Sequence, residues 1–217
     1  MKKISCFIVL ICCIHFTNAQ TTANDSIPKE IKSITKHSVV IDGKTISYTA
    51  TAGALILKNE KDEPIALFGY TAYTKDGESD ASKRPVTFAY NGGPGSSSYW
   101  LHMGIIGPKR VVLNDPYNVP PPPYKMEDNN NSILDVSDIV MIDPVGTGIS
   151  HAVGKAKNKD FWGVDQDIKS VSGFIKTYIT QNERWNSPKY ILGESYGTLP
   201  FIQDHTLKLK HRFQLLR

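Results

Sequence analysis

The rhythm of apolar and polar residues changes three times along this chain. An apolar run from Ile4 to Phe16 follows Lys2 and Lys3, then gives way to a polar stretch without period from Thr21 to Thr35. Short β-rich segments come next: Ser38 to Ile41, Thr45 to Thr51, Ala54 to Leu57 and Ile65 to Thr74, with Asp42-Gly43-Lys44 between the first two. Segments of this kind separated by turn residues predict an antiparallel meander. From Pro85 the pattern is different. Pro85 to Tyr90, Asp138 to Ile142 and Lys189 to Leu192 are largely apolar runs of buried type, and between the last two Ile168, Val171, Phe174, Ile175, Tyr178 and Ile179 recur at helical spacing. Strands alternating with helices imply a mostly parallel sheet beside the meander, so the pattern predicts an α/β fold.

The ends of the chain add organisation. Two lysines, an apolar run too short to span a bilayer, and Thr17-Asn18-Ala19 before Gln20 stand in the order of an export signal. Residues 1–19 are therefore expected to be removed, residues 20–35 to form a disordered lead-in, and the mature protein to be exported, periplasmic or extracellular. Cys6, Cys12 and Cys13 all fall within the signal, which leaves the mature chain without disulfide or thiol chemistry. Asp115 to Pro123, with Pro116 and the run Pro120-Pro121-Pro122-Pro123, reads as an extended surface connection. The formal charge of +4 includes Lys2 and Lys3, and no basic cluster is interleaved with aromatics, so nucleic acid is not an expected partner. No later apolar stretch approaches the roughly 20 residues of a membrane span.

Candidate chemistry centres on Ser195 in Gly193-Glu194-Ser195-Tyr196-Gly197, directly after the strand Lys189 to Leu192 and before a predicted helix. A serine at such a strand-to-helix turn is exposed and faced by backbone N–H groups, as an acyl-transfer nucleophile requires. The Tyr196 N–H supplies one oxyanion donor. A second is expected from a glycine-rich loop after an earlier strand, and Asn91-Gly92-Gly93-Pro94-Gly95-Ser96-Ser97-Ser98 follows Pro85 to Tyr90.

Four blocks in this order, Asn91 to Ser98, Gly107-Pro108, Ile142 to Ser150 and Gly193 to Thr198, resemble the serine carboxypeptidases of the α/β-hydrolase fold, most closely bacterial members. The resemblance covers residues 36–198. It implies hydrolysis of the C-terminal peptide bond through an acyl-enzyme, with no cofactor and no metal. It also implies Ser195 as nucleophile, Gly93 and Tyr196 as oxyanion donors, and Asn91, Gly92 and Glu194 as binders of the substrate's free terminal carboxylate. An esterase or acyltransferase on the same fold, or a non-catalytic binding fragment, are the competing readings.

The chain also departs from the family pattern. Ile105 stands where a second glutamate usually shares a proton with the residue equivalent to Glu194, and Ser96 replaces a cysteine common in eukaryotic members. The fold places its acid and histidine after the serine, and here only Asp204, His205 and His211 follow. Asp204 and His205 read as solvated helix residues, and the earlier His102 and His151 as structural or substrate-lining. Residues 199–217 read as an atypical basic tail, with Pro200 opposing continuation of the elbow helix. The expectation is an N-terminal portion of a longer enzyme, inactive alone, in which Lys189 to Leu192 is an open sheet edge.

Overall fold

The computed structural model describes residues 27–113, 115, 121–198 and 213–215. The export signal, most of the proline-rich connection, Pro200, Asp204, His205 and His211 lie outside them. The meander consists of three long strands: β1 (Ile31–Ile41), β2 (Lys44–Lys58) and β3 (Pro64–Lys75), paired antiparallel in sequence. Two expectations change here. Thr45 to Thr51 and Ala54 to Leu57 are one strand, because Gly53 continues the ladder while leaving room for the Tyr70 ring; a Cβ at Gly53 would lie 2.7 Å from that ring. The strand β1 also begins at Ile31, inside the predicted lead-in. Its residues up to Ser38 are all exposed, so backbone pairing orders them without any apolar alternation to betray it.

The remaining strands are β4 (Val86–Tyr90), β5 (Lys109–Val111), β6 (Met126–Asp128), β7 (Asp138–Ile142) and β8 (His151–Ala152). After them come helix α1 (Val164–Gln181), β9 (Lys189–Gly193) and β10 (Phe213–Leu215). The main sheet runs β1-β2-β3-β7-β4-β9-β10, with β8 on β3, while β5 and β6 form a separate ribbon. Strands β7, β4, β9 and β10 are mutually parallel, and β3 meets β7 antiparallel. The predicted open edge at β9 is not found. Phe213, Gln214 and Leu215 pair in parallel with Lys189, Tyr190 and Ile191, so part of the predicted tail belongs to the sheet; three residues are too few for a strand period to register.

Every residue of β4 and β7 is buried, because both faces of the sheet are covered. On one face, Phe68, Tyr70, Phe88 and Val140 pack against the predicted apolar stripe of α1. The Phe174 ring lies 5.4 Å from Phe68 and 5.7 Å from Tyr70, and a ring so buried is worth about 1.5–3 kcal/mol in area alone. The other face packs Ala89, Ile139 and Met141 against Leu101, Ile106 and Leu134. Helix α1 starts after Gly163, whose φ of +126° suits glycine, and carries Asp165 and Asp167 in its first turn, where the helix dipole favours carboxylates.

The N-terminal ends of the parallel strands are tied by ions. Both oxygens of the buried Asp138 carboxylate are engaged, one by Arg84 Nε at 2.9 Å and the other by Arg184 Nη1 at 2.5 Å. The Lys75 N–H donates to Asp138 as well, at 3.0 Å. The opposite, C-terminal ends of β4 and β9 are left for the glycine-rich loop and the elbow.

Candidate functional site

In the parallel register Tyr90 lies opposite Gly193, so the residues that follow, Asn91 and Glu194, leave the sheet side by side. The chain then turns sharply. Ser195 has φ of +55°, a left-handed conformation costing a non-glycine residue on the order of 1–3 kcal/mol. Surrounding contacts hold it there: the Glu194 N–H donates to Tyr90 O at 3.3 Å, Gly197 N–H to Glu194 O at 2.9 Å, and Thr198 Oγ1 to Ser195 O at 2.7 Å. Ser195–Thr198 form a short 3-10 turn, and the rest of the predicted helix lies outside the described residues.

Three glycines allow the backbones to approach this closely. A Cβ on Gly92 would lie 2.7 Å from both Glu194 O and Gly197 N, and closer still to Tyr196 N. One on Gly193 would lie 2.5 Å from the Gly197 carbonyl carbon, and one on Gly197 2.8 Å from Tyr90 O. The glycine-rich loop and the elbow are thus in backbone contact. Gly93 and Gly95 sit at the exposed tip with φ of +123° and +101°.

Asn91 is only 2% exposed, with both ends of its amide used. Its Oδ1 accepts from Leu101 N–H at 3.1 Å, and its Nδ2 donates to Glu194 Oε2 at 3.1 Å. Leu101 opens a π-helical turn, Leu101–Ile106, that carries His102 and Ile105. Ile105 is exposed, and its carbonyl accepts from Asn129 at 2.7 Å. Structure therefore brings together Asn91, Gly92, Glu194, Ser195 and Tyr196, with Gly93 on the adjoining loop.

The Ile142 to Ser150 block serves as a brace. Asp143 accepts from the Ser98 N–H at 2.9 Å, and Ser150 Oγ donates to Asp143 O at 2.7 Å while accepting from Gly69 N–H at 2.8 Å. Burial raises the Asp143 pKa, and the Ser98 N–H opposes that rise. Gly148 is required beside it, since a Cβ would lie 2.9 Å from Asp143 Cγ. The loop after β4 is thereby fixed at Ser98.

None of the described histidines is hydrogen-bonded to Ser195. His102 Nε2 is paired with the Tyr73 hydroxyl, His151 Nδ1 with Ile149 O, and His37 with Thr35. Burial lowers the His102 pKa, which favours the neutral ring.

One contact escaped the sequence pattern. The Tyr196 hydroxyl donates to Asp167 Oδ2 at 3.0 Å, tying the elbow to the first turn of α1. Burial raises the Asp167 pKa while the Tyr196 hydrogen bond lowers it, and the phenol is raised by its own burial and by Asp167. Both residues line a cleft of about 430 Å³ with Asn91, Gly92, Thr147 and Trp162. The acidic position in α1 could have been suspected only from its helix-start location, which has a sufficient structural reason of its own.

The sequence family described as serine carboxypeptidase matches residues 43–213, past Thr198 and through the start of β10. Among solved structures, the chain is similar to Kex1(delta)p, a prohormone-processing carboxypeptidase from Saccharomyces cerevisiae. Identity is 24% and the TM-score 0.50, over 69% of this chain and 31% of that one. A second similar structure is the peroxisomal alpha-beta-hydrolase Lpx1 from Saccharomyces cerevisiae, at 13% identity and a TM-score of 0.39, over 86% of this chain and 43% of that one. No curated protein matches. The chain thus spans less than a third of the length of the first structure.

Proposed function

The chain belongs to the serine carboxypeptidase family and has the α/β-hydrolase fold, and on that premise we propose that its site binds the free C-terminus of a peptide and presents Ser195 to the last peptide bond. In this reading Ser195 Oγ attacks the scissile carbonyl carbon. The oxygen that becomes negative is met by the backbone N–H groups of Gly93 and Tyr196, each such donor being worth about 3–4 kcal/mol in the transition state. The terminal amino acid leaves, and water then hydrolyses the acyl-enzyme. Asn91, the Gly92 backbone and Glu194 take the terminal carboxylate. A carboxylate meeting Glu194 is tolerated when one of the two holds a proton, and Asn91 Nδ2 adds a neutral donor at the same place.

The observation that carries this reading is the contact of Asn91-Gly92 with Glu194-Ser195-Tyr196, which puts a strained serine within one turn of an amide–carboxylate pair whose Asn91 is buried and whose Glu194 is exposed. A plain esterase needs the serine and the oxyanion donors but has no use for that pair. The general base is not among the described residues, where no histidine bonds Ser195. Without one, the oxyanion donors and binding alone give about a thousandfold to ten-thousandfold over water. The described residues by themselves would therefore acylate slowly. Export with Gln20 as the mature terminus belongs to the same reading, motivated by residues 1–19, and N-terminal sequencing of exported material tests it.

The functional test pairs binding with labelling. Peptides with a free C-terminal carboxylate should bind the Ser195→Ala chain, and their C-terminal amides should not. A fluorophosphonate should label Ser195 slowly, at a rate unchanged by His205→Ala or His211→Ala. Equal binding of acid and amide would remove the carboxypeptidase assignment. Rapid labelling that depends on either histidine would remove the claim of slow acylation.

A further inference from the structure

Tyr196 is held by its side chain more directly than by its backbone. Its N–H is the oxyanion donor of the reading above, and no backbone hydrogen bond among the described residues uses that N–H. The bonds that fix the turn engage the neighbours instead: the Glu194 N–H, the Gly197 N–H and the Thr198 hydroxyl. They act against the strain at Ser195, with its φ of +55°. The one side-chain hydrogen bond of Tyr196 among the described residues runs from its hydroxyl to Asp167 Oδ2 at 3.0 Å. Asp167 is a firm anchor. Its N–H donates to Gly163 O at 2.9 Å, Ser170 Oγ donates to its carbonyl at 3.1 Å, and the next residue, Ile168, is buried in the core. Asp165 stands in the same first turn of α1. The helix dipole favours both carboxylates alike, but only Asp167 meets the elbow.

Resting on the acyl-transfer part of the carboxypeptidase reading, we propose that Asp167 is a positioning residue for the oxyanion donor: through the Tyr196 hydroxyl it fixes the peptide between Ser195 and Tyr196, so that the N–H points at the oxygen that becomes negative. The link is short and stiff. Only the two side-chain torsions of tyrosine lie between the anchored hydroxyl and the Tyr196 Cα, and a hydrogen bond to an ionised carboxylate is stronger than one between neutral groups. A donor held in place before the reaction needs no reorganisation when the charge develops, which is the source of its value. Asp167 acts here without touching the substrate's reacting atoms, and it needs an acceptor oxygen at Oδ2 rather than a charge in the cleft.

The test is the saturation kinetics of fluorophosphonate labelling, followed by intact mass with Ser195→Ala as the blank. In that reaction Ser195 Oγ bonds to phosphorus, fluoride leaves with the P–F electron pair, the hydroxyl proton passes to water, and the phosphoryl oxygen takes the oxyanion position. Asp167→Ala and Tyr196→Phe should each lower the rate of bond formation, kinact, by about tenfold or more, within the roughly hundredfold that a 1 Å misplacement can cost. Reversible binding of the probe, KI, should barely change. Asp167→Asn keeps an acceptor for the phenol and should restore most of kinact. The double variant Asp167→Ala/Tyr196→Phe should fall no further than either single change, because both cut one link, and Asp165→Ala should label like the parent. Urea midpoints report folding; if Asp167→Ala does not fold, a low kinact in Tyr196→Phe beside a parental one in Asp167→Asn carries the same conclusion. A parental kinact in Asp167→Ala or Tyr196→Phe, a loss confined to KI, multiplied losses in the double variant, or Asp167→Asn no better than Asp167→Ala overturns the proposal. The acid-over-amide binding preference of the Ser195→Ala chain measures the underlying reading separately: its loss removes the carboxylate site and leaves kinact to judge Asp167.

Discussion

Asn91 Nδ2 donates to Glu194 Oε2 across 3.1 Å, joining residues 103 positions apart in the chain. The link follows from the parallel pairing of β4 with β9, which sets Tyr90 against Gly193 and delivers the next residue of each strand to the same end of the sheet. The loop after β4 and the turn after β9 are thereby in direct side-chain contact.

Asn91→Ala should cost both stability and binding. It strips the acceptor from the buried Leu101 N–H, and an orphaned buried donor costs about 1–3 kcal/mol. Urea denaturation should show a loss in that range, and free-carboxylate peptides should bind more weakly. Glu194→Gln keeps an oxygen for Asn91, so it should leave the urea midpoint nearly unchanged; a large drop there would mean that Glu194 is chiefly structural.

Gly92→Ala should be worse than its size suggests. The added methyl meets the backbone of Glu194, Tyr196 and Gly197, none of which can rotate away as a side chain would. Overpacking of this kind costs about 1–3 kcal/mol, and it should also pull the Tyr196 N–H out of line, so that fluorophosphonate labelling falls below that of the parent chain. Gly95→Ala, whose Cβ meets nothing within 4 Å, is the control: backbone strain alone should act there, without the labelling defect.

Asp138→Ala should be among the most damaging single changes. The carboxylate is 2% exposed and sits between Arg84 and Arg184, so its removal strands two guanidinium groups in the interior. Breaking a buried pair from one side costs about 3–5 kcal/mol, measurable as a shift of the thermal or urea midpoint. A loss below about 1 kcal/mol would show that water already reaches this end of the sheet.

His102 should make stability depend on pH. Burial depresses its folded pKa below the ordinary 6.5, so between those two values the unfolded chain holds a proton that the native chain does not. Stability from this residue is then fully present above the unfolded pKa and is lost as pH falls through 6.5 toward the lower folded value. Urea midpoints measured from pH 8 to pH 5 should fall with acidity. His102→Gln, which keeps an acceptor for the Tyr73 hydroxyl, should flatten that part of the curve; an unchanged slope would assign it to other groups.

The parts legible in the sequence were those where one physical cause dominates. Strands β4, β7 and β9 stood out because burial on both faces demands continuous apolar runs, and α1 because its stripe from Ile168 to Ile179 has one period and one side to cover. The elbow was readable because close backbone approach admits only glycine at positions 193 and 197. Long-range pairing hid the rest. Ile31 to His37 are ordered by hydrogen bonds to β2 with their side chains in solvent, Gly53 looked like a break because Tyr70 lies 17 residues further on, and the Tyr196–Asp167 bond spans 29 positions.

The strand order also sets a timetable for biosynthesis. Strand β4 lies between β7 and β9, both of which leave the ribosome after it. At elongation rates of about 5–20 residues per second, the interval between Asn91 and Glu194 lasts roughly 5–20 s. Throughout that time the fully buried strand β4 and its glycine-rich loop lack β9, and for the first half of it they lack β7 as well. The chain should therefore be most prone to aggregation and most dependent on chaperones while β9 is still being made, and slowing translation between β4 and β9 should lower the soluble yield more than slowing it within the meander.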